Sequence, residues 1–166
     1  MSDNDVRRLK FEEAREQYFG KFDQFLDTST EGHFWLRDDR IAGHVADAII
    51  YRDRKVYDLL AYCIMPNHVH MVFSVERFAE SLPARDGVSR YIVTDIIGSL
   101  KKFTAHEANK ILHRSGIFWQ HESYDHVVRN DRDLGRIIEY VLNNPVKAGM
   151  VQDWTKWKWS YCKFIP

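Results

Sequence analysis

Long apolar runs are missing from this chain. Nothing in it approaches the ~20 consecutive apolar residues that a membrane-spanning helix requires, so a membrane role through such a span is not expected. The N-terminus, MSDNDVRRLKFEEAREQ, is charged and lacks the apolar core of a secretion signal, which leads to an expected cytoplasmic location. Cysteine is scarce. Cys63 and Cys162 form neither a CxxC pair nor a disulfide framework, and read as reduced thiols of a reducing compartment. There are no internal repeats and no low-complexity segments, which excludes solenoids and flexible tails. An excess of one charge sign is absent too, because 24 Lys/Arg balance 24 Asp/Glu. The distribution is less even: residues 1–96 carry 13 Lys/Arg against 17 Asp/Glu, whereas residues 97–166 carry 11 against 7. A basic C-terminal half suits phosphate groups, although such asymmetry is also common on ordinary solvated surfaces.

What is present is enough for one domain spanning 1–166, since 166 residues can bury a single core but not two comfortable ones. Phe11, Ala14, Tyr18, Phe22 and Phe25 recur at helical spacing, predicting an amphipathic helix over 9–27, followed by a turn at 27–32. Asp38 and Asp39 are candidate caps for a second helix with Ile41, Val45, Ala48 and Ile49 on its apolar face. VYDLLAYCIM (56–65) reads as a strand ended by Pro66. HVHMVFSVE (68–76) alternates as a second strand, with Val69, Met71, Phe73 and Val75 on one side and His68, His70, Val72 and Ser74 on the other. The two make an antiparallel hairpin. Residues 77–93 read as a loop, 94–113 as a helix stopped by Ser115-Gly116, and 124–129 as a short strand. A last helix is expected from Asp131 to Asn143, ended by Asn144-Pro145. The fold class that follows is α+β, a small antiparallel sheet with helices on one face.

The chemistry concentrates at two places. A strand repeats every two residues, so His68 and His70 project together and can chelate one divalent ion. Two half-exposed surface histidines are the plain alternative. On the last helix, Leu134, Ile137, Ile138 and Val141 form the apolar stripe, and Tyr140 and Asn144 stack one turn apart on its flank. A phenolate attacks phosphorus competently, but with an ordinary pKa of about 10 it needs a base or a nearby cation. The alternative for Tyr140 is a helix tyrosine that merely packs its ring.

MPNHVH (65–70), SLKKFT (99–104), FWQ (118–120), YDHVVR (124–129) and YVLNNPVKAGMV (140–151) resemble, in order and spacing, the REP-associated tyrosine transposases. These belong to the HUH single-tyrosine superfamily, in which the middle position is hydrophobic, here Val69. The resemblance covers about 34–151, leaving 152–166 as an aromatic and basic tail. It implies a ferredoxin-like fold, His68 and His70 as metal ligands, Tyr140 as nucleophile and Asn144 as an amide-type third ligand. The implied cofactor is Mg²⁺ or Mn²⁺, and a mixed imidazole–amide site can bind Zn²⁺, Ni²⁺ or Co²⁺ more tightly in vitro.

The implied activity is nicking and joining of single-stranded DNA, next to a hairpin or palindromic repeat, through a 5′-phosphotyrosine. The alternative is a decayed or domesticated relative that binds structured nucleic acid without cutting it. Tyr124 is a rival nucleophile without a ligand-type residue one helical turn away. Asp125 and His126 are candidates to orient a ligand or contact DNA, or only to hold the chain there. Lys101, Lys102, Arg129 and Lys147 are candidate phosphate contacts. In the tail, Trp157, Trp159 and Tyr161 fall on one face of an extended strand, suited to packing on the sheet or to stacking bases. Relatives of this type usually begin with an apolar strand, which MSDNDVRRLK does not supply. Either the sheet is completed differently, by a partner chain in a homodimer or by GHFWL (32–36), or the sequence is N-terminally shortened.

Overall fold

The computed structural model describes residues 33–79, 88–121, 123, 126–128 and 130–165. The expected 9–27 helix, the turn after it and the question of a first strand lie outside them. Tyr124, Asp125 and Arg129 do as well.

A short 3-10 turn, Trp35–Arg37, leads into α1 (Asp39–Arg52). Asp38 is its N-cap, with the carboxylate accepting from the Arg40 N–H at 3.0 Å. The Ile41, Val45, Ala48 and Ile49 stripe is buried as expected. Strands β1 (Asp58–Ile64) and β2 (Val69–Ser74) then pair antiparallel, and β3 (Ser160–Cys162) joins the other side of β1, so the sheet order is β2-β1-β3. GHFWL does not complete the sheet, because its C-terminal part is the 3-10 turn. Between the hairpin and the last helix come α2 (Glu76–Ala79) and α3 (Val88–Ile111). Thus α3 starts six residues before the expected Thr94, since extending a helix is far cheaper than nucleating one. His126–Val128 form no strand. Val127 is exposed, so this stretch lacks the buried face that would hold it in a sheet.

Helix α4 (Asp131–Lys147) is capped by Asn130, whose side chain accepts from the Asp133 N–H. It does not stop at Asn143. It continues through Pro145, which is buried, and closes at Ala148 and Gly149, the latter at φ 69°. A proline here removes one helical N–H, but the final turn is secured by Ala148 and Met150 N–H groups donating to the carbonyls of Asn144 and Pro145.

Helices cover both faces of the sheet rather than one. Leu59, Tyr62 and Ile64 pack with α1 and with Leu100 and Ala108 of α3, joined by Val69, Met71 and Phe73 of β2. Ala61, Cys63, Met65 and Val72 pack on the opposite side with Ile138, Val141 and Leu142 of α4. The register shifts between Leu59 and Ala61, so Leu60 is an extra residue that lets Leu60 and Ala61 both join the α4 side. The tail packs on the sheet, but its aromatics divide. Trp157 joins the α4 side, and Trp159 and Tyr161 join the α1 side. Among the described residues, no helix is long and apolar enough to cross a membrane.

Candidate active site

The turn Met65–His68 is closed by the Met65 N–H donating to the His68 carbonyl at 2.8 Å. It delivers His68 at the mouth of β2, with His70 two residues on. The two Nε2 atoms lie 3.0 Å apart and the rings stand nearly perpendicular, at 88°. His68 Nδ1 is 2.7 Å from Asn67 Oδ1. An amide oxygen only accepts, so Nδ1 carries the proton and Nε2 presents its lone pair toward His70. Asn67 escaped the sequence reading; its signal was its place immediately before the histidine pair.

These atoms fit a divalent ion. Two metal–nitrogen bonds of about 2.1 Å at a right angle put their nitrogens roughly 3.0 Å apart. Fixing a ligand histidine's tautomer through its other nitrogen is the usual support for such a site. Among the described residues, no three His, Cys, Asp or Glu side chains form a metal-binding group. Among the described residues, a third protein ligand would therefore have to be of another type, such as an amide.

Helix α4 brings Tyr140 to the histidines. The His70 and Tyr140 rings are 6.0 Å apart between centroids and nearly perpendicular, at 80°. The Lys147 ammonium sits 4.3 Å from the Tyr140 ring centroid. One turn beyond Tyr140, Asn144 is 1% exposed. Its Nδ2 donates to the Tyr140 carbonyl at 3.0 Å, and its Oδ1 is buried without a hydrogen-bond partner. A buried carbonyl with no donor is uncommon, because desolvating it uncompensated costs about 1–3 kcal/mol. It is the kind of atom a ligand would satisfy.

An open pocket of about 240 Å³ lies beside the tyrosine, lined by Arg136, Glu139, Tyr140, Asn143 and Lys147. Arg136 is a second residue missed in the sequence. It precedes Tyr140 by four positions, which puts it on the same helical face. The remaining candidates lie elsewhere. Lys101 and Lys102 are on α3, which packs chiefly against α1. The Lys101 ammonium donates to the Gln120 carbonyl at 2.8 Å, and burial holds its pKa below the usual lysine value. His126 Nε2 stands 3.5 Å from an Asp133 carboxylate oxygen in the first turn of α4.

The fold and site thus define an α+β protein in which a strand-borne histidine pair faces a helix-borne tyrosine. The chain is similar to a putative REP-associated tyrosine transposase of Haemophilus influenzae, at 28% identity over 105 residues covering 63% of this chain and 58% of that protein. It is also similar to a REP-associated tyrosine transposase of Escherichia coli K12, at 25% identity over 113 residues covering 67% and 57%. No family model and no solved structure matches. These relatives support assignment of the chain to the REP-associated tyrosine transposases, and it spans less than two thirds of the length of each.

Proposed function

We infer that this protein is a metal-dependent transposase of the HUH single-tyrosine class, nicking and rejoining single-stranded DNA through Tyr140. The observation that carries the reading is the placement of Tyr140 between the His68–His70 pair and the Lys147 ammonium.

In the reaction, the Tyr140 hydroxyl oxygen attacks the scissile phosphorus in line. The bond to O3′ breaks, leaving a 5′-phosphotyrosine and a free 3′-hydroxyl. Attack by another 3′-hydroxyl reverses the step, so no external energy source is consumed. Lys147 places a positive charge where it favours the phenolate and the incoming phosphate. Asn144 ties its amide to the Tyr140 carbonyl and so fixes the backbone that carries the nucleophile. His68, His70 and the Asn144 Oδ1 would hold Mg²⁺ or Mn²⁺, which when bound supplies Lewis-acid polarisation of a non-bridging phosphate oxygen. The DNA is expected to be single-stranded and hairpin-bearing.

The test is incubation with labelled hairpin-bearing single-stranded DNA and Mn²⁺, followed by denaturing electrophoresis. Wild type should form a covalent protein–DNA adduct and Tyr140→Phe should form none. An undiminished adduct in Tyr140→Phe would move the nucleophile elsewhere. Binding with no adduct under any divalent ion would identify a non-cleaving relative.

A further inference from the structure

Two aromatic motifs, GHFWL and FWQ, take no part in the chemistry above, yet the fold brings them together. The His33 ring stacks on Trp35 with centroids 4.1 Å apart and planes 7° from parallel. Trp35 in turn stacks on Phe118 at 4.9 Å and 20°. The Arg114 guanidinium carbon lies 4.2 Å from the Trp35 ring, and that of Arg37 lies 4.4 Å from Phe34. The outer member, His33, is exposed and contributes nothing to the core.

The stack is braced. Trp119 donates its indole N–H to Thr104 Oγ1 at 2.9 Å, Asn109 donates to the Gly116 carbonyl at 2.9 Å, and Arg114 donates to the Ile117 carbonyl at 3.2 Å. A rigid ladder of near-parallel rings with guanidinium planes beside it suits flat π-systems that carry negative charge. Leucine-rich surfaces that bind proteins look different. Lys101, anchored to the Gln120 carbonyl, adds a further cation to the same loop. The ladder packs on the α1 and α3 side of the sheet, opposite α4, and is tied through the backbone to the turn that carries the histidines. The residue after Trp35, Leu36, donates its N–H to the Pro66 carbonyl at 3.1 Å, and His68 follows two residues later.

We propose that the His33–Trp35–Phe118 stack is a base-stacking subsite for an unpaired nucleotide of the DNA strand whose scissile phosphate meets Tyr140. The proposal rests on the transposase reading, and it adds a surface that grips bases independently of their sequence. Stacking energies imply that removing the outer ring weakens single-strand binding about tenfold.

The test uses the full chain and single-stranded DNA that carries a hairpin and unpaired flanks substituted with 5-iododeoxyuridine, which photo-crosslinks to stacked aromatic rings. Mass spectrometry should map crosslinks to peptides containing His33–Trp35 or Phe118–Trp119. His33→Ala should lower both the crosslink yield and the affinity, and His33→Phe should restore them. Because His33 is exposed, circular dichroism of both variants should match wild type. Crosslinks confined to other peptides, with the Tyr140 adduct still forming, would overturn the subsite and leave the transposase reading standing. Neither binding nor adduct would overturn both.

Discussion

Replacing Asn144 with leucine separates a structural amide from a ligand, because the two roles predict opposite results. Leucine has nearly the same shape, so the cavity term is small. The substitution removes one hydrogen bond, to the Tyr140 carbonyl, worth about 0.5–1.5 kcal/mol. It also removes a buried carbonyl without a partner, relieving about 1–3 kcal/mol. The metal-free variant should therefore be as stable as wild type or more so, by up to about 2 kcal/mol. The response to metal should move the other way. Wild type at a Mn²⁺ concentration one hundred times its Kd gains about 2.7 kcal/mol by mass action. If Asn144 is a ligand, its loss, with an affinity loss of about 10- to 100-fold, removes about 1.3–2.3 kcal/mol of that increment. Urea unfolding of both proteins, with Mn²⁺ and with chelator, reads the two effects separately. A variant that is several kcal/mol weaker without metal, yet gains as much from Mn²⁺ as wild type, would refute the ligand role.

Lys147→Gln should slow adduct formation about tenfold at neutral pH, the effect of removing a screened charge near the reacting oxygen, and Lys147→Arg should recover part of the rate. A single-turnover assay at two salt concentrations checks both. Tyr57 is buried with its hydroxyl donating to the Ile49 carbonyl, and burial pushes its pKa well above the ordinary value. The folded state therefore keeps a proton that the unfolded chain releases above pH of about 10, so stability should fall as pH rises past that point. Tyr57→Phe should flatten this alkaline slope in denaturant titrations, at the cost of one hydrogen bond. Trp157→Phe leaves the Ile64 carbonyl without its indole donor and should cost about 1–2 kcal/mol in urea unfolding, with near-unchanged secondary structure.

Local rules place the candidate site residues on their elements because each half of the candidate site is local. The period-two alternation of 68–75 put both imidazoles on one side, and the four-residue spacing put Tyr140 above Asn144; neither needs knowledge of distant residues. The cap at Asp38 is equally self-contained. The failures all involve tertiary context. Pro145 looked like a stop, but burial against the sheet and hydrogen bonds from Ala148 and Met150 carry the helix one turn further. The extra residue at Leu60 leaves no mark in a uniformly apolar strand, so the order of faces along β1 could not be read. Tail aromatics at every second position suggested one face, whereas Trp159 and Tyr161 share one and Trp157, which closes the 3-10 turn Trp154–Lys156, packs on the other. Arg136 carries no motif of its own, and Asn67, though inside MPNHVH, shows its role only through its contact with His68.

The histidines and the tyrosine are borne by separate elements, a strand and a helix, held apart by the apolar layer between them. At its centre that layer contains Ala61 and Cys63, both fully buried, with Val72 alongside. Small side chains at these two strand positions leave room for α4 to approach, and the His70 and Tyr140 rings lie 6.0 Å apart between centroids. The reach of the proposed nucleophile is thus a matter of packing volume as much as of chemistry. A single added methylene at position 61 or 63 would act as a shim under the helix, widening the working gap without altering any reacting group.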